Sequence, residues 1–226
     1  RVVVHSIPAM GLSMELESRA EAVWSAIESA VESLLRSEVT HVVLACNTTQ
    51  YFRSRIERQL DGRARFVSLA DVATAYIERE GVTDITIIGI PTVASLGEWS
   101  AFAPLRALGV EPASERSHDV LLKLGYLVKN SRMGDKDARA LNTLNQVLAT
   151  GVSTGTVLVA LTEISVLLQR FPKLRENVKG VRVVDTLDLG ARELARIYLA
   201  SLPDSRNDGA DEASWSSDLS DAARSG

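Results

Sequence analysis

The sequence predicts an α/β fold of two pseudo-symmetric parallel-sheet lobes, with helices on both faces and a cleft between the lobes. Three observations predict it. Short β-branched or apolar runs alternate along the chain with stretches of helical periodicity, which is the pattern of parallel sheets covered by helices. One design occurs twice: Val42-Val43-Leu44-Ala45-Cys46-Asn47-Thr48 and Val157-Leu158-Val159-Ala160-Leu161-Thr162-Glu163 each pass from an apolar strand through small polar residues into a helix. The 226 residues, 46% hydrophobic and 24% charged, suffice for one large or two small domains with a sizeable core.

The elements follow in order. Arg1 to Ser6 is short and β-branched and reads as a strand. Glu15 to Arg36 carries Ala20, Val23, Trp24, Ile27, Val31 and Leu34 at helical spacing, a stripe that should face a core. His41 to Ala45 reads as a buried strand, and a further helical stretch follows Cys46-Asn47-Thr48-Thr49. Arg65 to Ser68 is expected as a strand, and Asp71 to Glu80 as a helix that Gly81 ends. Asp84 to Gly89 is the next strand, followed by a helix over Gly97 to Leu108 that stops at Gly109. His118 to Lys129 and Lys136 to Thr150 read as helices, then Thr156 to Leu161 as a strand and Thr162 to Arg170 as a short helix. Val181 to Val184 and Leu187 to Ala200 complete the pattern with one more strand and helix.

The first lobe is expected to comprise residues 1–81 with the last helix, 187–202, returning to it, and the second lobe residues 82–186. From 203 to 226 the chain is rich in Ser, Asp, Ala and Gly, with Trp215 and Leu219 its only large apolar side chains. Such a tail buries too little to offset the cost of ordering and is expected to be disordered.

Composition narrows the function. A net charge of −4 without a long basic run gives no reason to expect nucleic-acid binding. No apolar run approaches the ~20 residues that span a bilayer, so no membrane partner is expected. The single cysteine rules out an intrachain disulfide and fits a reducing, cytoplasmic setting. His5, His41 and His118 lie far apart without metal-ligand spacing, and no metal is expected.

The two repeated turns carry the chemistry. In open parallel sheets ligands bind at the carboxyl edge of the strands, and the positive end of a following helix favours an anion there. Two such edges across a cleft suit a small carboxylate. Cys46 lies at the first turn, where a helix start favours the thiolate, able to take a proton from carbon or attack an electrophile. A small buried residue at a strand end is the other reading of Cys46.

Ala45-Cys46-Asn47-Thr48 resembles the first cysteine motif of the aspartate/glutamate racemase superfamily, usually Cys-Asn-Thr-x-His, with Gln50 where that His is common. Thr162-Glu163-Ile164 resembles the second motif, usually Gly-Cys-Thr-Glu. The first strand, the segment from Gly89 to Gly109, and Gly125-Tyr126-Leu127-Val128-Lys129 fall in family order, so the resemblance covers most of residues 1–200. It implies an amino-acid racemase or isomerase of amino-acid metabolism that needs no pyridoxal phosphate or other cofactor, and it admits a homodimer. In that family one cysteine removes the α-proton and a second returns one from the far side. Cys46 matches the first thiol. Asn47, Thr48 and Thr162 match residues that hold the substrate's carboxylate and amino groups, and Thr92 and Ser95 match a Thr-rich loop beside the pocket. Lys129 matches a lysine that meets the distal carboxylate in aspartate racemases; on spacing alone it reads equally as a solvated cation at a helix end.

Three departures from the family pattern shape the expected chemistry. The second cysteine position is Leu161, which has no acid–base capacity, so symmetric two-thiol racemisation is not available. The loop Ile7-Pro8-Ala9-Met10-Gly11 lacks the arginine that aspartate racemases carry near Met10 or Gly11, which points away from aspartate or glutamate. A preceding strand and Gly-rich loop are also missing, and the sequence is expected to be a fragment or the trailing part of a longer polypeptide. Glu163 is expected to cap the helix start rather than to serve as the missing acid. The expected function is a cofactor-independent racemase or isomerase acting beside the carboxylate of an amino acid or small dicarboxylic acid. A single-cysteine decarboxylase or cis–trans isomerase, and a non-catalytic carboxylate-binding or regulatory protein, are the alternatives.

Overall fold

The computed structural model describes residues 1–129, 137–150, 155–172 and 181–202. The chain divides into two units, Arg1–Leu194 and Ala195–Gly226. The first unit contains two parallel sheets. One pairs β1 (His41–Val42) with β2 (Arg65–Phe66). The other has four strands, β3 (Ile85–Ile88), β4 (Val110–Pro112), β5 (Thr156–Val159) and β6 (Arg182–Asp185), in the order β4-β3-β5-β6. β3 and β5 are buried at every residue, as expected for central strands with helices on both faces.

Two apolar clusters hold the helices. The smaller one joins α1 (Leu16–Arg36), through Leu16, Val23, Trp24, Ile27 and Val31, to Ile56 and Leu60 of α2 (Arg53–Leu60). Each such buried aliphatic side chain contributes about 1.5–3 kcal/mol of transfer free energy. The larger cluster surrounds the four-stranded sheet and includes Leu69, Ala70, Ala73 and Ile77 of α3 (Leu69–Glu80). Ser68 caps α3 by accepting from the Asp71 amide at 3.2 Å, and Gly81 ends the helix in the left-handed region at φ 57°. A single turn, α4 (Pro91–Ala94), follows β3. Helices α5 (Glu115–Lys129), α6 (Asp137–Thr150) and α7 (Thr162–Arg170) precede β6, and α8 (Thr186–Ala200) follows it.

Two expected elements are not there. Arg1 to Ser6 forms no strand; Val2 and Val4 are each 87% exposed, and among the described residues no strand takes their backbone hydrogen bonds. Gly97 to Leu108 is not an α-helix but a run of turns ending in a 3-10 helix over Ala103–Leu108. The buried Ser100 hydroxyl donates to the Val93 carbonyl at 2.6 Å and accepts from the Phe102 amide at 3.1 Å, replacing helical backbone bonds. Pro104 then withholds a further donor. β4 adds an edge strand that the sequence pattern did not indicate, and at an edge its Pro112 is tolerated. The tail expected over 203–226 lies outside the described residues.

Candidate active site at the joined strand ends

The carboxyl ends of β1, β3, β5 and β6 are tied together by a few close contacts. Thr186, the first residue of α8, places Oγ1 2.8 Å from Asn47 Oδ1 and 2.9 Å from the Val159 carbonyl oxygen, so one hydroxyl serves both neighbours. The segment after β1 is thereby joined to the ends of β5 and β6. β3 comes equally close: a Cβ on Gly89 would lie 2.9 Å from the Ala160 carbonyl oxygen, so only glycine allows that approach. Asp185 accepts from Ser165 Oγ at 2.8 Å and from the Leu187 amide at 3.0 Å, which holds the start of α8 in place.

Cys46 is a free, half-buried thiol two residues before a 3-10 helix, Thr48–Phe52, that continues into α2. The α-helix expected to begin directly at this turn starts only at Arg53. Its Sγ lies 3.8 Å from the hydroxyl of Ser13, a buried residue of the 3-10 helix Pro8–Glu15. The turn is braced from behind. Thr49 Oγ1 donates to the Cys46 carbonyl at 3.1 Å, and Gln50 Nε2 reaches the Leu44 and Cys46 carbonyls at 2.9 and 3.3 Å. Gln50 Oε1 accepts from the Leu69 amide at 3.0 Å, which anchors the turn to the start of α3. Gln50 is fully buried and is a structural brace. Asn47 is 3% exposed, and among the described residues its Nδ2 has no hydrogen-bond partner. An unmet buried donor costs about 1–3 kcal/mol, so a ligand acceptor there would gain by satisfying it. Thr48 is buried beside it.

The second repeated turn is built differently. Leu161, 4% exposed, is the residue before α7 and belongs to the larger core. A Cβ on Gly125 would lie 3.0 Å from Met14 Cε and 3.9 Å from Leu161 Cδ1. The methionine next to Ser13 therefore packs over Gly125 beside Leu161. Thr162 Oγ1 donates to Glu163 Oε2 at 3.1 Å, and Lys129 Nζ is 3.5 Å from Glu163 Oε1. Glu163 lies in the first turn of α7, where Thr162 and Lys129 hold its carboxylate. Its place in the first turn still sets its charge against the helix dipole.

Thr92 is buried within α4, and Ser95 closes that turn. Arg106 donates to the Ser95 and Leu96 carbonyls at 2.6 and 3.2 Å and fixes the backbone there. Among the described residues no hydrogen bond joins Thr92 or Ser95 to Cys46, Asn47 or Lys129. The structure thus gathers Cys46 with Ser13, Asn47 with Thr186, and Lys129 with Thr162 and Glu163. Ser13, Met14, Gly125 and Thr186 were not anticipated. Thr186 had a signal, because Val183-Val184-Asp185-Thr186 is a third apolar strand passing through polar residues into a helix. Ser13 and Met14 had none.

No family model matches the chain, and no curated protein does. Solved structures do. A candidate Asp/Glu racemase from Yersinia pestis superposes with a TM-score of 0.61 at 17% identity, covering 87% of this chain and 83% of that one. An aspartate racemase homologue from Pyrococcus horikoshii gives 0.60 at 18% identity, covering 88% and 83%. A double variant of arylmalonate decarboxylase, in its liganded form, gives 0.50 at 12% identity, covering 80% and 76%. The chain has the α/β fold that these proteins share.

Proposed function

We propose that this chain, which has the fold of aspartate/glutamate racemases, belongs to their superfamily and is a cofactor-independent enzyme of the racemase and isomerase type. It acts at the carbon beside a carboxylate in an amino acid or small carboxylic acid. One observation carries the reading: a half-buried free thiol, Cys46, is followed by a buried amide, Asn47 Nδ2, that meets no acceptor among the described residues, where the strand ends meet. The substrate carboxylate binds Asn47 Nδ2, with Thr48 beside it, and Cys46 takes or supplies the proton at the adjacent carbon. Thr92 and Ser95 shape the neighbouring loop. Ser13 lies within contact distance of the thiol sulfur and orients it.

At the second repeated turn the matching position is Leu161, packed near Met14, and neither can move a proton. Proton transfer is therefore one-sided, which sets aside inversion between two facing acids and leaves exchange, decarboxylation or isomerisation by Cys46 alone. That favours a second reading, decarboxylation with protonation on one face, for which the shared fold with arylmalonate decarboxylase is a further reason. A lone thiol of this kind stays reduced in the cytoplasm, which is the setting proposed. Among the described residues no helix is long and apolar enough to cross a membrane.

The test is proton NMR of a panel of amino and carboxylic acids in D₂O, with the protein and with Cys46→Ala. Enzyme-dependent deuteration at the carbon beside the carboxylate, lost in the variant, supports proton transfer by Cys46. A new product peak, equally dependent on Cys46, selects decarboxylation or isomerisation. Binding without exchange or product would make the chain a carboxylate-binding protein and end the enzymatic reading.

A further inference from the structure

We infer that the site takes a substrate with one carboxylate and an uncharged far end, because Glu163 already neutralises Lys129 on the Leu161 side. The inference deepens the function proposed above and rests on it. Gly125 and Lys129 are one turn apart on α5, and Leu161 and Glu163 are two residues apart at the start of α7. The ion pair thus flanks the contact of Met14, Gly125 and Leu161, and Met14 is the residue after Ser13, whose hydroxyl touches the Cys46 sulfur.

The burial of the two partners decides what Lys129 can do. The Glu163 side chain is 7% exposed and that of Lys129 32%. A carboxylate stripped of water needs its cation, and taking that cation away leaves an uncompensated buried charge. A second substrate carboxylate approaching Lys129 would meet the Glu163 charge at a similar distance, so the attraction largely cancels. Thr162 offers no relief, because its hydroxyl is turned to Glu163 Oε2. By contrast the unmet Asn47 Nδ2 accommodates one carboxylate, and Leu161 with Met14 offers apolar surface to whatever lies beyond it. One end is made for an anion and the other is not.

Calorimetric titration with three pairs of ligands tests this: glutamate with glutamine, aspartate with asparagine, and glutarate with valerate. Each pair differs chiefly in the charge at one end. The wild-type protein should bind the singly charged far-end-neutral member about tenfold tighter or more. Glu163→Gln keeps the shape but frees the Lys129 charge, and should move each preference toward the extra carboxylate by about tenfold or more. Lys129→Met combined with Glu163→Gln leaves a neutral wall and should keep the wild-type preference, which separates charge from folding. Tighter binding of glutamate, aspartate and glutarate by the wild type would overturn the inference, as would an unchanged preference in Glu163→Gln. Binding of none of the six to the folded protein would overturn the carboxylate-site reading beneath it, and this inference with it.

Discussion

The turns after β1 and after β5 share a sequence pattern but differ in build and contents. Cys46 is half-buried, next to the Ser13 hydroxyl and ahead of an amide with an unmet donor. Leu161 occupies the matching place, but it is sunk in the larger core against the Met14–Gly125 contact. One turn holds a half-buried thiol and a buried amide, and the other holds hydrocarbon. A repeated scaffold therefore does not impose repeated chemistry: the strand end positions a side chain, and the side chain decides what the position does.

Substitutions at the two turns should separate accordingly. Cys46→Ala is expected to have the largest effect on turnover, a loss of at least about 10³-fold, the size associated with a positioned acid or base. Its thermal midpoint should stay near that of the parent, since no core packing is removed; activity assays beside calorimetry check both halves. Leu161→Ala should do the reverse and destabilise the fold by about 2–5 kcal/mol, the range for emptying a core leucine site. Denaturant unfolding measures it, and a neutral result would mean that Leu161 does not serve as packing.

Much of this contrast was legible in the sequence, because the repeat is a local pattern of apolar strand, polar turn and helix. The stripe of α1 was equally legible, since Val23, Trp24, Ile27 and Val31 all face one core. What escaped were features decided by distant partners. Arg1 to Ser6 has strand composition, yet among the described residues no strand pairs with it. The stretch from Gly97 to Leu108 has helical periodicity, but Ser100 bonds across to Val93 instead. In the site, Cys46 and Asn47 stood out by type and position, whereas Ser13 reaches the thiol from 33 residues away. The pairing of Glu163 with Lys129 likewise depends on how α5 meets α7, which no local pattern encodes.

Smaller effects sharpen the picture of how the strand ends are held. Gly89→Ala would press a methyl against the Ala160 carbonyl and should cost about 1–3 kcal/mol, read from the urea midpoint. Thr186→Val removes the hydroxyl shared by Asn47 and Val159 and should cost about 1–3 kcal/mol while weakening ligand binding through a looser Asn47. Calorimetry and ligand titration on that variant check the two effects separately.

The smallest effect lies away from both turns. Burial holds His118 below its ordinary pKa of 6.5, against the opposing charges of Glu115 and Asp119. The unfolded chain then takes up that proton first, so this contribution to stability is complete above pH 6.5 and declines as pH falls below it toward the folded-state pKa. His118→Gln should flatten that part of the stability–pH curve, measured by unfolding between neutral and mildly acidic pH. An unchanged slope would show that another group sets it.

The stereochemical course of exchange tests the central claim most directly. A single enantiomer of an exchanging substrate is incubated in D₂O, and deuterium content and handedness are followed together at early times. With Cys46 as the one proton-moving group, deuterium enters with configuration retained, and Cys46→Ala shows none. Inversion as fast as deuteration, or exchange that survives Cys46→Ala, would place an acid on the Leu161 side and contradict the account.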